Sequence, residues 1–193
     1  MINLIIFGAP GAGKGTQSAK IVAKYQLMYL GTGEILRTEI AAKSELGIQA
    51  KALIDKGMLV PDSMVIDMIK FRIENNKHAK GFIFDGFPRT TKQAEVLDEL
   101  LKEINSPVTS MVALEVDNEE VIKRILLRGN TSGRPEDKGI HAIKNRLSIY
   151  ESETSLVLDY YKTQGKVQSV YGKGAIEDIF GNICQIIDSF TKV

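Results

Sequence analysis

The sequence predicts a three-layer α/β domain built on a central five-stranded parallel sheet. Three observations carry that expectation. Short apolar runs alternate with helical patterns along most of the 193 residues. Those runs are apolar on both faces, as strands covered by helices on each side must be. No internal repeat, linker or low-complexity tract divides the chain, so 1–193 reads as one domain.

Residues 4–7, Leu-Ile-Ile-Phe, form the first strand. A helix over 17–25 follows, then short strands at 27–30, 81–85 and 111–116, and a weaker one at 167–170. In the last helix Ile176, Ile179, Phe180, Ile183, Ile187 and Phe190 recur at helical spacing, giving an apolar stripe that must dock on the sheet. Cys184 flanks that stripe and reads as a small core residue.

Two excursions interrupt the alternation. Between the second and third strands lies a largely helical insertion. Leu46, Ala50, Leu53 and Ile54 share a helix face there, Gly57 fits the stop, and Pro61-Asp62 opens the next helix. The second excursion, from about 127 to 138, is polar, glycine-rich and loop-like in composition. It carries Arg128, Arg134, Glu136 and Asp137, as a closing lid beside an anionic ligand would.

The segment Gly8-Ala9-Pro10-Gly11-Ala12-Gly13-Lys14-Gly15-Thr16 follows the first strand directly. Strand, glycine-rich loop and helix start together make a phosphate cradle. The glycines let backbone N–H groups turn inward, and the helix adds its positive end. Lys14 supplies a mobile ammonium for the outer phosphates. Gly15 stands where most such loops carry a metal-binding hydroxyl, with Thr16 one step later.

Arginine placement supports the same site. Lysines outnumber arginines 18 to 7, so general solvation falls to lysine. Arg37, Arg89, Arg124, Arg128, Arg134 and Arg146 fall in segments that read as site loops, and only Arg72 does not. Their planar forks suit bidentate phosphate contacts. Arg124 and Arg128 stand at i, i+4 on a helix that an Asp117-to-Glu120 capping box should open. Asp85 ends the third strand before Gly86-Phe87-Pro88-Arg89, well placed to hold Mg²⁺ or its water shell.

Composition excludes other classes. A net charge of +1 gives no support for nucleic-acid or membrane-surface partners. One cysteine makes neither an internal disulfide nor a thiolate metal cage. No apolar run approaches a membrane span, and Met1 leads straight into a core strand without a basic leader. A cytoplasmic location is expected.

Several blocks together are highly specific: the loop through Gln17, Gly31-Thr32-Gly33-Glu34-Ile35-Leu36-Arg37, Lys56-Gly57-Met58-Leu59-Val60-Pro61-Asp62, Asp85 to Arg89 with Gln93, and Gly133-Arg134 through Arg146. Over nearly its whole length the sequence resembles adenylate kinases with the short form of the lid. The resemblance implies a core (1–30, 61–126, 139–193), an AMP-binding insertion (31–60) and a lid (127–138).

It also implies roles. Gly11, Ala12, Gly13, Lys14, Gly15 and Thr16 would hold the ATP phosphates, Arg124 and Arg128 would contact ATP, and Gly174 would offer backbone to its adenine. Thr32 and Gln93 would meet the adenine of AMP, and Arg37 and Arg89 its phosphate. Met58, Leu59 and Val60 would line that pocket, beside Gly86, Phe87 and Pro88. Arg134 and Arg146 would close on the transferring group. The catalytic set would be Lys14, Arg89, Arg124, Arg134 and Arg146, working with Mg²⁺ near Asp85. The partners would be ATP, AMP and ADP, the enzyme a monomer, and structural zinc is not expected. Departures from the pattern are Gly31, Glu136 for one of an Asp pair, and Lys138-Gly139.

Two other readings remain. A UMP-CMP kinase would share most of these blocks, but that group typically has Ala at position 32 and Asn at 93. A GTP-binding switch would need an Asn-Lys-x-Asp loop, and Asn76-Lys77-His78-Ala79 lacks the aspartate.

Overall fold

The computed structural model describes residues 1–191. Its strands β1 (Ile2–Phe7), β2 (Met28–Gly31), β3 (Gly81–Asp85), β4 (Ser110–Glu115) and β5 (Val167–Tyr171) form one all-parallel sheet ordered β2-β3-β1-β4-β5. All five expected strands are present, with ends shifted by one or two residues.

Strand side chains alternate between two cores, which is why the runs are apolar on both faces. Ile5, Phe7, Phe82, Phe84, Met111 and Ala113 face one layer, with Val65 and Ile69 of α4 (Asp62–Glu74), Leu97 and Leu101 of α5 (Thr91–Glu103), and Val157 and Tyr161 of α8 (Ser155–Thr163). Leu4, Ile6, Ile83, Val112 and Leu114 face the other, against Ile21 of α1 (Lys14–Tyr25) and Ile179, Ile183 and Ile187 of α9 (Ile176–Thr191). The expected stripe on α9 thus docks through its middle. Its end residues Ile176 and Phe190 stay exposed, while Cys184 is buried.

The insertion consists of α2 (Thr32–Ala42) and α3 (Glu45–Ile54), and Gly57 follows with φ +72° as the expected stop. Thr32 is the first residue of α2, and Gly31 takes the cap position. Beyond β4 come α6 (Asn118–Gly129) and α7 (Ile140–Ile149). Val121 and Ile125 of α6 pack with Ile143 of α7 and Ala9 of the glycine loop, forming a small third core beneath that loop.

Two local expectations need correction. The capping box at the start of α6 does not form. Asp117 makes no side-chain cap, and Glu120 binds Arg124 Nε at 2.7 Å instead, because a guanidinium one turn away outcompetes a backbone N–H. The stretch expected as loop from about 127 is partly helical. Residues 127–129 finish α6, and Pro135–Asp137 is a 3-10 turn.

Strand order positions the site. From central β1 the chain moves to the β2–β3 side, then crosses to β4 and β5. Such a reversal opens a crevice beyond the carboxyl ends of the strands. Ile6 pairs in register with Asp85, so the loops following β1 and β3 lie side by side there.

Candidate nucleotide site

The crevice is a cleft of about 680 Å³, lined by the glycine loop with Lys14 and Thr16, by Tyr29, Arg37, Asp85 and Arg89, and by Arg128, Arg134 and Arg146. Five sequence-distant segments therefore converge on one space, as the arginine distribution predicts.

The loop has the conformation its glycines permit. Gly11 has φ +88°, and a Cβ there would lie 2.8 Å from Ile125 Cγ1. Gly13, at φ +95°, ends the loop as the residue before α1. The first backbone N–H groups of a helix have no intrahelical partners, so α1 opens onto the cleft with free donors and its positive dipole end. Lys14 Nζ folds back over the loop, donating to the carbonyls of Gly8 at 2.7 Å and Ala9 at 3.0 Å. Burial pulls its pKa down to about 8; the nearby Asp85 charge opposes this, and Arg89 adds to it. Anionic phosphates would stabilise the ammonium and push that value back up.

Asp85 accepts from Tyr29 Oη at 3.1 Å through Oδ2. Burial, then the Asp85 charge, pushes the Tyr29 phenol above its ordinary range, so Tyr29 stays a neutral donor. A Cβ built on Gly15 would stand 3.8 Å from that same Oδ2. A single carboxylate against the start of α1 fits a cation held jointly with phosphates and water. Among the described residues no three His, Cys, Asp or Glu side chains converge as a protein-only metal cage.

A second, narrower pocket opens beside the cleft, lined by Thr32, Arg37, Met58, Leu59, Val60, Gly86, Arg89, Gln93, Glu136 and Arg146. Thr32 Oγ1 donates to the Gly86 carbonyl at 2.8 Å, and Arg89 Nε donates to the same oxygen at 2.8 Å. Burial, followed by repulsion from Arg146, lowers Arg89 to about 10. An excess of positive charge in a desolvated pocket is a standing preference for an anion.

The segment 127–138 reaches both spaces, with Arg128 and Arg134 lining the cleft and Glu136 the second pocket. Asp137, wholly buried, receives Arg128 Nε and Nη2 at 2.7 and 2.9 Å and Arg146 Nη1 at 2.6 Å. Burial alone would raise its carboxyl, but the two guanidinium groups outweigh this and hold it below the usual carboxylate range. Glu136 reaches Arg37 at 3.4 Å and keeps one buried oxygen without a partner.

Most sequence-chosen residues meet here, and five stand apart. Arg124 and Gly174 do not line the main cleft. Arg124 instead donates to the Gly172 carbonyl at 2.9 Å, tying α6 to the loop that carries Gly174. Ala12 and Phe87 are buried, Phe87 against Phe84, and Pro88 lines a small pocket behind Arg89. His78 and His141 are exposed. Tyr29 was not singled out from the sequence, and Asp62 and Asp137 were read only as a helix opener and as one acid of the lid-like excursion, without a site role.

A phosphate loop and a second arginine-lined pocket facing one cleft make the layout of an ATP-dependent nucleoside monophosphate kinase, a phosphotransferase. The comparisons narrow this class. The family model described as "Adenylate kinase" matches residues 6–166. An adenylate kinase of Parabacteroides distasonis is 47% identical over 189 residues, covering 98% of this chain and 99% of its own length. Those of Bacteroides fragilis and Flavobacterium psychrophilum are 46% and 44% identical over 189 residues each, covering 98% of this chain and all of their own. The chain belongs to the adenylate kinase family.

Proposed function

We propose that, in its adenylate kinase activity (ATP + AMP ⇌ 2 ADP), the chain seats ATP on the 8–16 loop and AMP in the Thr32–Gln93 pocket. The observation carrying this reading is the single cleft in which Lys14, Arg37, Arg89, Arg128, Arg134 and Arg146 converge between a phosphate loop and a second pocket. One nucleotide would not need both.

An AMP phosphate oxygen attacks the γ-phosphorus of ATP, and the bond from that phosphorus to the β,γ-bridging oxygen breaks, leaving ADP on each side. The attacking oxygen is already anionic near neutral pH, so no general base is required. This chain's residues then work by alignment and by neutralising charge. Lys14 and the helix start hold the donor phosphates, Arg37 and Arg89 the acceptor phosphate, and Arg134 and Arg146 the group in flight. Arg124 and Arg128 steady the ATP side, with Gly174 backbone near its adenine. Mg²⁺, when bound with ATP, supplies further neutralisation of the phosphates, and Asp85 would hold it through water. Lid closure excludes the water that would otherwise hydrolyse ATP.

We read the enzyme as a cytoplasmic monomer without nucleic-acid or membrane partners. The near-neutral charge gives no support for nucleic-acid or membrane-surface partners, and no described helix is long and apolar enough to cross a membrane.

The test is to mix the protein with ATP and Mg²⁺ and each of AMP, CMP, UMP and GMP, and follow diphosphate formation. AMP should be the preferred acceptor. Preference for CMP or UMP would replace this reading with that of a UMP-CMP kinase. ATP hydrolysis or GTP binding without transfer would end it.

A further inference from the structure

Gln93 is buried, yet it lines the second pocket. Both ends of its amide are already engaged. Oε1 accepts from the backbone N–H of Arg89 at 2.8 Å, and Nε2 donates to Asp62 Oδ1 at 2.7 Å. The other Asp62 oxygen receives Thr90 Oγ1 at 2.9 Å, and Thr90 Oγ1 in turn accepts from Gln93 N at 3.2 Å, capping α5. The first residue of α4 and the first turn of α5 are thus locked to one another around a single amide.

The chemistry of these partners fixes which way the amide points. A backbone N–H can only donate, and a carboxylate can only accept. Turning the amide over would set N–H against N–H and oxygen against oxygen, leaving buried groups unpaired at a cost on each side. In the allowed orientation one lone pair on Oε1 and one N–H on Nε2 stay unused. That acceptor-and-donor pair complements a base edge with an amino hydrogen beside a ring-nitrogen acceptor. A 6-oxopurine presents the opposite order at positions 6 and 1, and would need the amide reversed.

We propose that Asp62, which has no place on either nucleotide, sets acceptor choice by holding Gln93 in the orientation that accepts a 6-aminopurine and refuses a 6-oxopurine. Asp62 is a positioning residue. The inference rests on the reading that the acceptor base sits against Gln93. Through Thr90 the same carboxylate also reaches the Gln93 backbone N–H, so it ties down both the amide and the main chain that carries it, and discrimination depends on a side chain behind the pocket wall.

The experiment compares kcat/KM for AMP and inosine monophosphate, which differ only at that edge, in the parent, Asp62→Ala and Asp62→Asn proteins. In Asp62→Ala the AMP-to-IMP ratio should fall roughly tenfold, the loss expected when one charged hydrogen bond no longer enforces orientation. KM for ATP should not move. Asp62→Asn, which keeps an oxygen for Nε2, should recover part of the ratio; a merely structural role predicts no such recovery. An unchanged ratio in folded Asp62→Ala overturns the proposal, and so does a loss shared equally by AMP, IMP and ATP. If the parent itself does not prefer AMP over IMP, the seat assigned to the acceptor base is wrong, and the inference falls with it. Should Asp62→Ala fail to fold, a crystal structure of the parent with AMP decides. Gln93 held between Asp62 and the base supports the proposal; Asp62 turned away from Gln93 overturns it.

Discussion

Arg146 Nη1 lies 2.6 Å from Asp137 Oδ1, the same oxygen that receives Arg128 Nη2 at 2.9 Å. One buried carboxylate therefore gathers guanidinium groups from α6 and α7, and the 3-10 turn that carries it cannot leave without releasing both. Removing one partner of a buried pair strands the other charge, at about 3–5 kcal/mol. Asp137→Ala should lose stability on that scale and lower kcat, as measured by thermal or denaturant unfolding and a coupled ADP assay. The folded carboxyl is held below its unfolded value. Its stabilisation is thus complete above the unfolded pKa and disappears as pH falls through the folded one. Parent and variant should converge in stability on strong acidification.

Lys14→Met should lower kcat by about 10²–10³-fold, the range for losing one preorganised electrostatic contact. It should leave the fold intact, because the ammonium is costly where it sits. Near-normal turnover in a folded variant would remove Lys14 from the reaction.

The depressed Lys14 pKa, about 8 against 10.5 unperturbed, has two pH consequences. In the free enzyme the ammonium is lost as pH rises through about 8, so kcat/KM for ATP should decline there. The decline in kcat itself should come at higher pH, since bound phosphates hold the proton. For stability the sign is reversed. Between about 8 and 10.5 the unfolded chain carries more protons than the folded one at this residue, so Lys14 makes unfolding harder as pH rises in that window. The difference between parent and Lys14→Met unfolding curves isolates this contribution.

Arg89→Ala should mainly damage use of AMP. Arg89 faces the second pocket and bonds the Gly86 carbonyl. A charge-assisted bond of about 1.5–3 kcal/mol corresponds to at least roughly tenfold in KM. Steady-state kinetics with each substrate varied in turn should find KM for ATP near the parent's. A rise confined to ATP would reverse the assignment of the two seats.

Gly57→Ala probes the contact between the insertion and α7. A Cβ there would stand 2.4 Å from the Ala142 carbonyl oxygen and 2.8 Å from Arg146 Cγ, at φ +72°. The strained backbone alone costs about 1–3 kcal/mol. Thermal unfolding should report that loss, and AMP kinetics the displacement of Arg146.

Much of this was legible in the chain. The strands announced themselves because a parallel sheet buries both faces of each run, and β5, with its mixed polar pattern, gave the weakest signal. The loop glycines and Lys14 were legible because phosphate binding dictates local backbone. Convergence was harder to read. Asp137 looked like one acid in a polar turn, and its burial depends on Arg128 arriving from one helix and Arg146 from another. Asp62 looked like a helix opener, and nothing near it in sequence announces Gln93. The capping box at Asp117 failed for a related reason: Glu120 met Arg124, and a side-chain partner one turn along overrode the local rule. Spacing reveals what a residue does for its own backbone; it is silent on partners delivered by other segments.

Between α7 and α8 the helix widens into one π turn at Tyr150–Thr154. In an ordinary helix each residue advances the azimuth by about 100°, and a π turn absorbs one residue beyond that rhythm. Ahead of it Arg146 aims at the cleft, and Tyr150, the first residue of the turn, lays its ring 5.8 Å from Phe7. Behind it, Tyr161 drops into the core and reaches Asp98 on α5 at 3.1 Å. The widened coil is a phase shifter: it lets one continuous rod address the cleft with its leading half and anchor in the interior with its trailing half. Excising a single residue there would force the rod to choose between those two bearings.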